Sequence, residues 1–99
     1  MAAAGPKPPP GSFNILYFAA ATTYTKRNHD TLSAPLLVTQ LFDRLEEMYP
    51  GMKAKVLESC ALTVNLDYVD LEEENEKGSS ALVIKAGDEA AIIPPVSSG

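Results

Sequence analysis

The chain has 99 residues, of which 45% are hydrophobic and 21% are charged. This length suits one domain with a small core and excludes a multidomain enzyme. Thirteen acidic residues against eight lysines and arginines give a net charge of −5, which phosphate backbones repel, so nucleic acid is not expected as a partner.

Residues 1–12 are predicted to form a disordered leader. They read MAAAGPKPPPGS, and after Met1 they contain no large apolar side chain that could be buried in a core. A proline-rich ligand is the alternative interpretation of this run. The chain shows neither a secretion signal nor an apolar run of the roughly 20 residues that a membrane helix needs, so we expect a cytoplasmic protein without membrane contact.

Residues 13–19, FNILYFA, predict the first strand, because aromatic and β-branched side chains fill a run too short for a core helix. The stretch 20–30 is polar and without periodicity, so irregular structure is expected there. Residues 31–33 are expected to pair back as a short second strand. His29 has no nucleophile motif near it, which favours a solvated loop histidine over a catalytic one.

Apolar residues then recur at three- and four-residue spacing from Pro35 to Tyr49, which predicts a helix with one apolar stripe. The stripe consists of Leu37, Val38, Leu41, Phe42, Leu45 and Met48. Ser33 offers a cap-like start, and Pro50-Gly51 prevents the helix from continuing. The stripe is predicted to be a core face, with a separate binding groove as the alternative.

Two alternating runs, 61–65 and 66–70, predict a tight hairpin around a polar turn. The segment 67–76 holds six acids but lacks the glycine and the oxygen spacing of a calcium loop, so a solvated loop is predicted. Cys60 is the single cysteine and His29 the single histidine, which are too few soft ligands for a zinc site. Cys60 is expected to be a small buried hydrophobe rather than a reactive thiol.

Residues 81–84 are strand-like, and after a Gly87-Asp88-Glu89 turn residues 90–93 predict the last strand, which Pro94-Pro95 ends. The first and last strands are strongly apolar, which makes them natural central neighbours in a mixed sheet with one helix across it. The predicted fold is therefore α+β with a β-grasp architecture, and a plain α+β sandwich is the alternative. Residues 13–95 would form the domain and 96–99 its tail.

The tail is the candidate functional feature. Pro94-Pro95 keeps the backbone extended, so that Val96, Ser97, Ser98 and Gly99 would project as a narrow arm. Gly99 has no Cβ, so its carboxylate can enter a slot and react where a bulkier residue would collide. An ordinary frayed terminus is the alternative interpretation.

The acidic turn, last strand, double proline and terminal glycine occur in this order and closely resemble the end of molybdopterin synthase small subunits, a family of ubiquitin-like sulfur carriers. The strand 15–19, the helix end at Tyr49-Pro50-Gly51 and the Val64-Asn65 hairpin are also similar to the family. The resemblance covers about residues 12–99, and the leader and the acidic insertion fall outside it. Ser98 stands where the family usually has glycine; serine is small enough for a narrow channel but restricts φ.

The resemblance implies a sulfur carrier for molybdenum cofactor biosynthesis that is not an enzyme on its own. An ATP-dependent, ubiquitin-activating-like adenylyltransferase would adenylate Gly99, and sulfur would then replace AMP to give a thiocarboxylate. The large synthase subunit, expected in a heterotetramer, would use that sulfur to convert cyclic pyranopterin monophosphate into molybdopterin. The residues that would insert into the partner are Pro94, Pro95, Val96, Ser97 and Ser98. No cofactor or metal is expected to be bound stably, since the activating enzyme consumes the ATP.

Three alternatives are open. In a protein modifier, Gly99 would become linked to a lysine of a target, as in ubiquitin, although the arm resembles the synthase carrier more than the longer arginine-bearing ubiquitin tail. A passive interaction domain would bind through its sheet and survive loss of the tail. The third alternative is a thiamine sulfur carrier, which belongs to the same class of sulfur carriers as the synthase subunit. The double proline argues against it.

Overall fold

A computed structural model describes residues 7–94. Its elements, in chain order, are β1 (Ser12–Tyr17), α1 (Ala20–Thr25), β2 (His29–Ser33), β3 (Leu36–Leu37), α2 (Leu41–Met48), α3 (Met52–Lys55), β4 (Ala61–Val64), β5 (Asp67–Val69), α4 (Leu71–Glu76), β6 (Val83–Ile84) and β7 (Glu89–Ile93). Short 3₁₀ turns lie at Val38–Gln40, Leu57–Ser59 and Gly78–Ser80. Within 7–94, every helix is too short or too polar to cross a membrane.

Five strands form one mixed sheet in the order β2-β1-β7-β4-β5. β7 lies at its centre, parallel to β1 on one side and antiparallel to β4 on the other. The prediction that the first and last strands are central neighbours is therefore confirmed. The predicted return of residues 31–33 onto β1 is also confirmed, since β2 pairs with β1 antiparallel.

One face of the sheet carries the core. Side chains alternate across a strand, so Phe13, Ile15 and Tyr17 of β1 all point to this face and are almost completely buried. Helix α2 covers them with Leu41 and Leu45, which are both 0% exposed. Burial of a side chain of this size contributes about 1.5–3 kcal/mol to folding.

Helix α2 begins at Leu41, not at Pro35 as predicted. Leu36 and Leu37 instead pair with β6 in a separate two-stranded sheet, and this pairing outweighs the helical pattern of the sequence. Ser33 lies in β2 and cannot cap the helix. The predicted end is confirmed, because Tyr49 occupies the C-cap position directly after Met48.

Helices α1 and α3 occur where no helix was predicted. The stretch 20–30 is not irregular: it contains α1, in which the Thr25 hydroxyl donates to the carbonyl of Ala21 at 2.9 Å. His29 is the first residue of strand β2, so the prediction of a loop histidine is wrong.

Helix α3 begins where the Glu46 carboxylate accepts hydrogen bonds from the backbone N–H groups of Gly51 and Lys53, each at 2.8 Å.

The acidic segment is the clearest correction, because it forms helix α4 rather than a solvated loop. The Asp70 carboxylate accepts a hydrogen bond from the Glu73 N–H at 3.2 Å and caps the helix. Glu74 is 9% exposed, and its carboxylate accepts from the Leu82 N–H at 2.7 Å and from Lys77 Nζ at 3.1 Å. These donors hold the pKa of Glu74 below its usual value.

The predicted hairpin is confirmed as β4–β5. Asn65 and Leu66 form its two-residue turn and both have positive φ, at 51° and 75°, as the turn type that matches strand twist requires. The Asn65 side chain accepts from the Glu89 N–H at 3.0 Å and donates to Asp88 at 3.1 Å. The hairpin turn is thereby attached to the beginning of β7.

Candidate functional site

The base of the arm lies at the carboxyl end of the central strand. Ile93, the last residue of β7, pairs with Ala61 of β4, and the exposed Pro94 follows it. The other residues predicted to act in the tail lie outside the described part of the chain: Pro95, Val96, Ser97, Ser98 and Gly99. Of the arm and its base, the structure therefore describes Ile93 and Pro94.

Hydrogen bonds hold the base of the arm from both sides. Tyr17 of β1 is the register partner of Ile92, and the Phe18 N–H donates to the Ile92 carbonyl at 3.2 Å. Ile92 itself is 0% exposed in the core. Proline has no N–H to extend the strand pairing, so Pro94 marks the point at which the chain can leave a firmly held strand.

Within residues 7–94, the face of the sheet opposite the core carries an apolar patch that includes exposed side chains, which we call the open face. It surrounds a depression of about 410 Å³ lined by Leu16, Phe18, Thr63, Leu66, Tyr68, Glu89, Ala91 and Ile93. Phe18 is 46% exposed and Tyr68 is 64% exposed. Exposed apolar patches with a polar rim are typical of protein interaction sites, and this one begins beside the arm.

Sequence reasoning missed the open face, although one signal was present. Leu16 and Phe18 alternate with the core residues Ile15 and Tyr17, so β1 is apolar on both faces. A strand of this kind in a sheet covered on one face leaves apolar side chains facing outward.

A polar cluster joins the elements behind the arm. Asp30 Oδ2 accepts hydrogen bonds from the hydroxyls of Tyr17 at 2.8 Å and Tyr49 at 2.5 Å, and Arg27 Nε lies 2.9 Å from Oδ1. Burial and the bonds to Asp30 raise the pKa of Tyr17 above its usual value and that of Tyr49 to about 12. Both phenols therefore remain protonated donors, and the cluster connects β1, β2 and the end of α2.

The two candidate soft side chains do not form a site together. Cys60 precedes β4 and packs against the core while remaining partly exposed, and burial raises the pKa of its thiol, which disfavours the reactive thiolate. His29 is the register partner of Leu16 at the other side of β1. Residues 7–94 contain no group of three or more His, Cys, Asp and Glu side chains that could hold a metal ion.

The chain is similar to known proteins over nearly its whole length. Residues 15–99 match the model of the ThiS family. The chain is 54% identical to the molybdopterin synthase sulfur carrier subunit of Phaeosphaeria nodorum, in an alignment that covers 97% of this chain and 99% of the relative.

Solved structures show the same fold at low sequence identity. A putative molybdopterin converting factor subunit 1 from Pyrococcus furiosus superposes with a TM-score of 0.68 at 19% identity, covering 86% of this chain and 98% of that one. A complex of subunits 1 and 2 of the molybdopterin-converting factor from Helicobacter pylori contains a chain with a TM-score of 0.55 at 21% identity, covering 89% and 99%. The predicted β-grasp fold is confirmed.

Proposed function

The chain belongs to the ThiS family, among the molybdopterin synthase sulfur carrier subunits, and we propose that it carries sulfur as a thiocarboxylate on Gly99. An activating enzyme would join the Gly99 carboxylate to the α-phosphate of ATP and release pyrophosphate. A sulfur nucleophile would then attack the acyl carbon and expel AMP. The carboxylate is a poor electrophile, and adenylation gives it a good leaving group.

The thiocarboxylate would next be used in the large subunit. Its sulfur would attack a carbon of the cyclic pyranopterin monophosphate and displace an oxygen from it, and water would then hydrolyse the resulting thioester, which leaves the sulfur on the pterin and returns the Gly99 carboxylate. Two carriers in succession would supply the two sulfurs of the dithiolene. The substrate pocket and its basic residues would belong to the large subunit, which suits an acidic carrier with a net charge of −5.

The position of the arm's base carries this function. Pro94 leaves the central strand at a point held on both sides by β1 and β4, so the base of the arm is fixed relative to the domain. If the arm is extended, as Pro94-Pro95 predicts, a fixed base would hold it at a repeatable distance and direction from any partner bound to the domain. Ser98 keeps the arm narrow, and the terminal Gly99 remains free of a Cβ.

The open face would bind the large subunit while the arm enters its pocket. It adjoins the base of the arm, since Ile93 lines the open face and directly precedes Pro94, and it exposes large apolar side chains such as Phe18 and Tyr68. The solved complex of the two Helicobacter pylori subunits supports a partner of this kind. Burial of these side chains would supply the apolar centre of an interface.

Mass measurement of the protein tests the proposal. Incubation with an activating enzyme, ATP and a sulfur source should replace one oxygen of Gly99 by sulfur, and reaction with a thiol-specific reagent should locate that sulfur at the C-terminus. A variant lacking Gly99 is the control and should gain no mass. High-mass adducts linked to lysine would instead show a protein modifier, and an unchanged mass would contradict sulfur loading.

A further inference from the structure

Two exposed lysines, Lys26 and Lys55, lie on the same shallow depression between α1 and α3. The depression has a volume of about 520 Å³, and its other lining residues are Ala20, Thr23, Tyr24 and Val56. It shares none of these residues with the open face. It is therefore a second surface, with an apolar floor and a basic rim.

This basic depression lies at the end of the sheet from which the arm leaves. Helix α1 follows the carboxyl end of β1, which runs parallel to β7. Lys55 lies on the segment that leads into Ala61, and Ala61 pairs with Ile93 at the end of β7. A partner that receives the arm would therefore come close to both lysines.

Lys26 and Lys55 differ from most other cations of the described chain, which already have acidic partners. The ion pairs are Arg27–Asp30, Arg44–Glu47, Lys53–Asp43 and Lys77–Glu74. Between residues 7 and 94, neither Lys26 nor Lys55 forms such a pair. Their charges are thus available to carboxylates from another molecule.

We propose that the basic depression binds a segment rich in Asp and Glu on the large subunit, beside the opening that receives the arm. This inference rests on the proposed function and adds how that partner is oriented. A small free anion would approach a chain of net charge −5 without apolar contacts to hold it. A protein bound to the open face already has apolar contacts with the domain. It can therefore bring its carboxylates to the lysines in spite of the net negative charge of the chain.

A second depression near the base of the arm carries charges of opposite sign. Glu58, Asp70 and Glu72 line a depression next to Cys60 and Ala61. It shares no lining residue with the basic depression, so this end of the domain carries two separate surfaces of opposite charge. A partner with complementary charges can dock in one rotational orientation about the arm, because the reversed orientation would place like charges together.

Charge reversal at the depression tests the proposal. The double variant K26E/K55E should bind the large subunit about tenfold or more weakly at low salt, and the loss should shrink at high salt as screening increases. The matched control is K7E/K85E, which changes the net charge equally. Lys7 precedes β1 and Lys85 precedes β7, so both lie at the opposite end of the sheet. The control should bind within about twofold of the wild type.

The neutral variant K26Q/K55Q should lose less affinity than K26E/K55E, and it provides the test if charge reversal impairs folding. Wild-type affinity in both variants would overturn the inference, as would equal losses in K26E/K55E and K7E/K85E. A loss seen only with the activating enzyme would also overturn it. Failure of the wild-type chain to bind the large subunit would instead contradict the proposed function.

Discussion

Asp30 shows how one buried carboxylate organises the region behind the arm. It is 8% exposed and accepts from Tyr17, Tyr49 and Arg27, so its charge is compensated by three donors. The aromatic rings of the two tyrosines also pack edge to face, with centroids 6.3 Å apart. Strand β1, the C-cap of helix α2 and the turn before β2 thus depend on one side chain.

Alkaline pH should therefore weaken the fold through these tyrosines. The pKa of Tyr49 is raised from 10.0 to about 12, so the folded state keeps a proton that the unfolded state loses. The stabilisation is complete below pH 10 and is lost as the pH rises towards 12. Urea unfolding across this range should show a steeper loss of stability in the wild type than in Tyr49→Phe.

The exposed Tyr68 provides the control for this experiment. Tyr68→Phe should leave the pH dependence of the wild type unchanged, because this side chain is 64% exposed on the open face. Tyrosinate absorbance, followed in the folded protein, should show an ionisation near pH 12 that Tyr49→Phe removes. Parallel curves for the wild type and Tyr49→Phe would contradict the role given to the Asp30 cluster.

At the scale of elements, the helix α2 holds the sheet's core face. Leu41→Ala removes a side chain that is 0% exposed and should lower the free energy of unfolding by about 2–5 kcal/mol. Met48→Ala is the matched control, since Met48 belonged to the same predicted stripe but is 38% exposed and should cost much less. Similar costs for the two variants, measured by urea denaturation, would show that the helix lies in another register.

Helix α4 depends on Glu74 more than on its other acids. Glu74→Ala leaves the Leu82 N–H without its acceptor and should cost about 1–3 kcal/mol, whereas the exposed Glu72→Ala should change stability by less than about 0.5 kcal/mol. Because the pKa of Glu74 is lowered on folding, its contribution should be lost as the pH falls below 4.5. Equal stability of the two variants at neutral pH would contradict this assignment.

The elements that the sequence predicted well are those with a local signal. The short aromatic and β-branched run of β1, the turn residues of the β4–β5 hairpin and the proline that follows β7 can each be recognised within a few residues. Helices α1, α3 and α4 have four to six residues, which is too short for a helical period to be visible. They depend on distant contacts such as Glu74 with Leu82, which no local pattern reports.

At the scale of the whole molecule, the candidate site also has one part that a local sequence signal predicts and other parts that only the folded chain creates. The arm was predicted from Pro94-Pro95 and the terminal Gly99, which lie within six residues of each other, and beyond Pro94 it stays a prediction. The open face was not, because the position of the helices decides which side of the sheet stays uncovered. The basic depression likewise unites Lys26 with Lys55, which only the folded chain brings onto one surface.

The arm and the domain should be separable in function. Deletion of Ser98-Gly99 should leave the urea unfolding curve unchanged, because the buried core of the described residues extends no further than Ile92. The same deletion should abolish molybdopterin formation with the large subunit, while Ser97→Ala, which keeps the length of the arm, should retain it. Product formed by the truncated chain would contradict the carrier function.

The central position of β7 has a consequence for how the protein is made. Without β7 the sheet consists of two separate pairs, β2 with β1 and β4 with β5, and nothing in the strand order joins them. Isolated two-stranded hairpins are marginal in water, so a growing chain cannot assemble this sheet until residues 89–93 have been synthesised. The strand that completes folding is also the one that bears the arm. A partner that recognises the assembled sheet would therefore bind the chain only after β7 has been synthesised and has paired with β1 and β4.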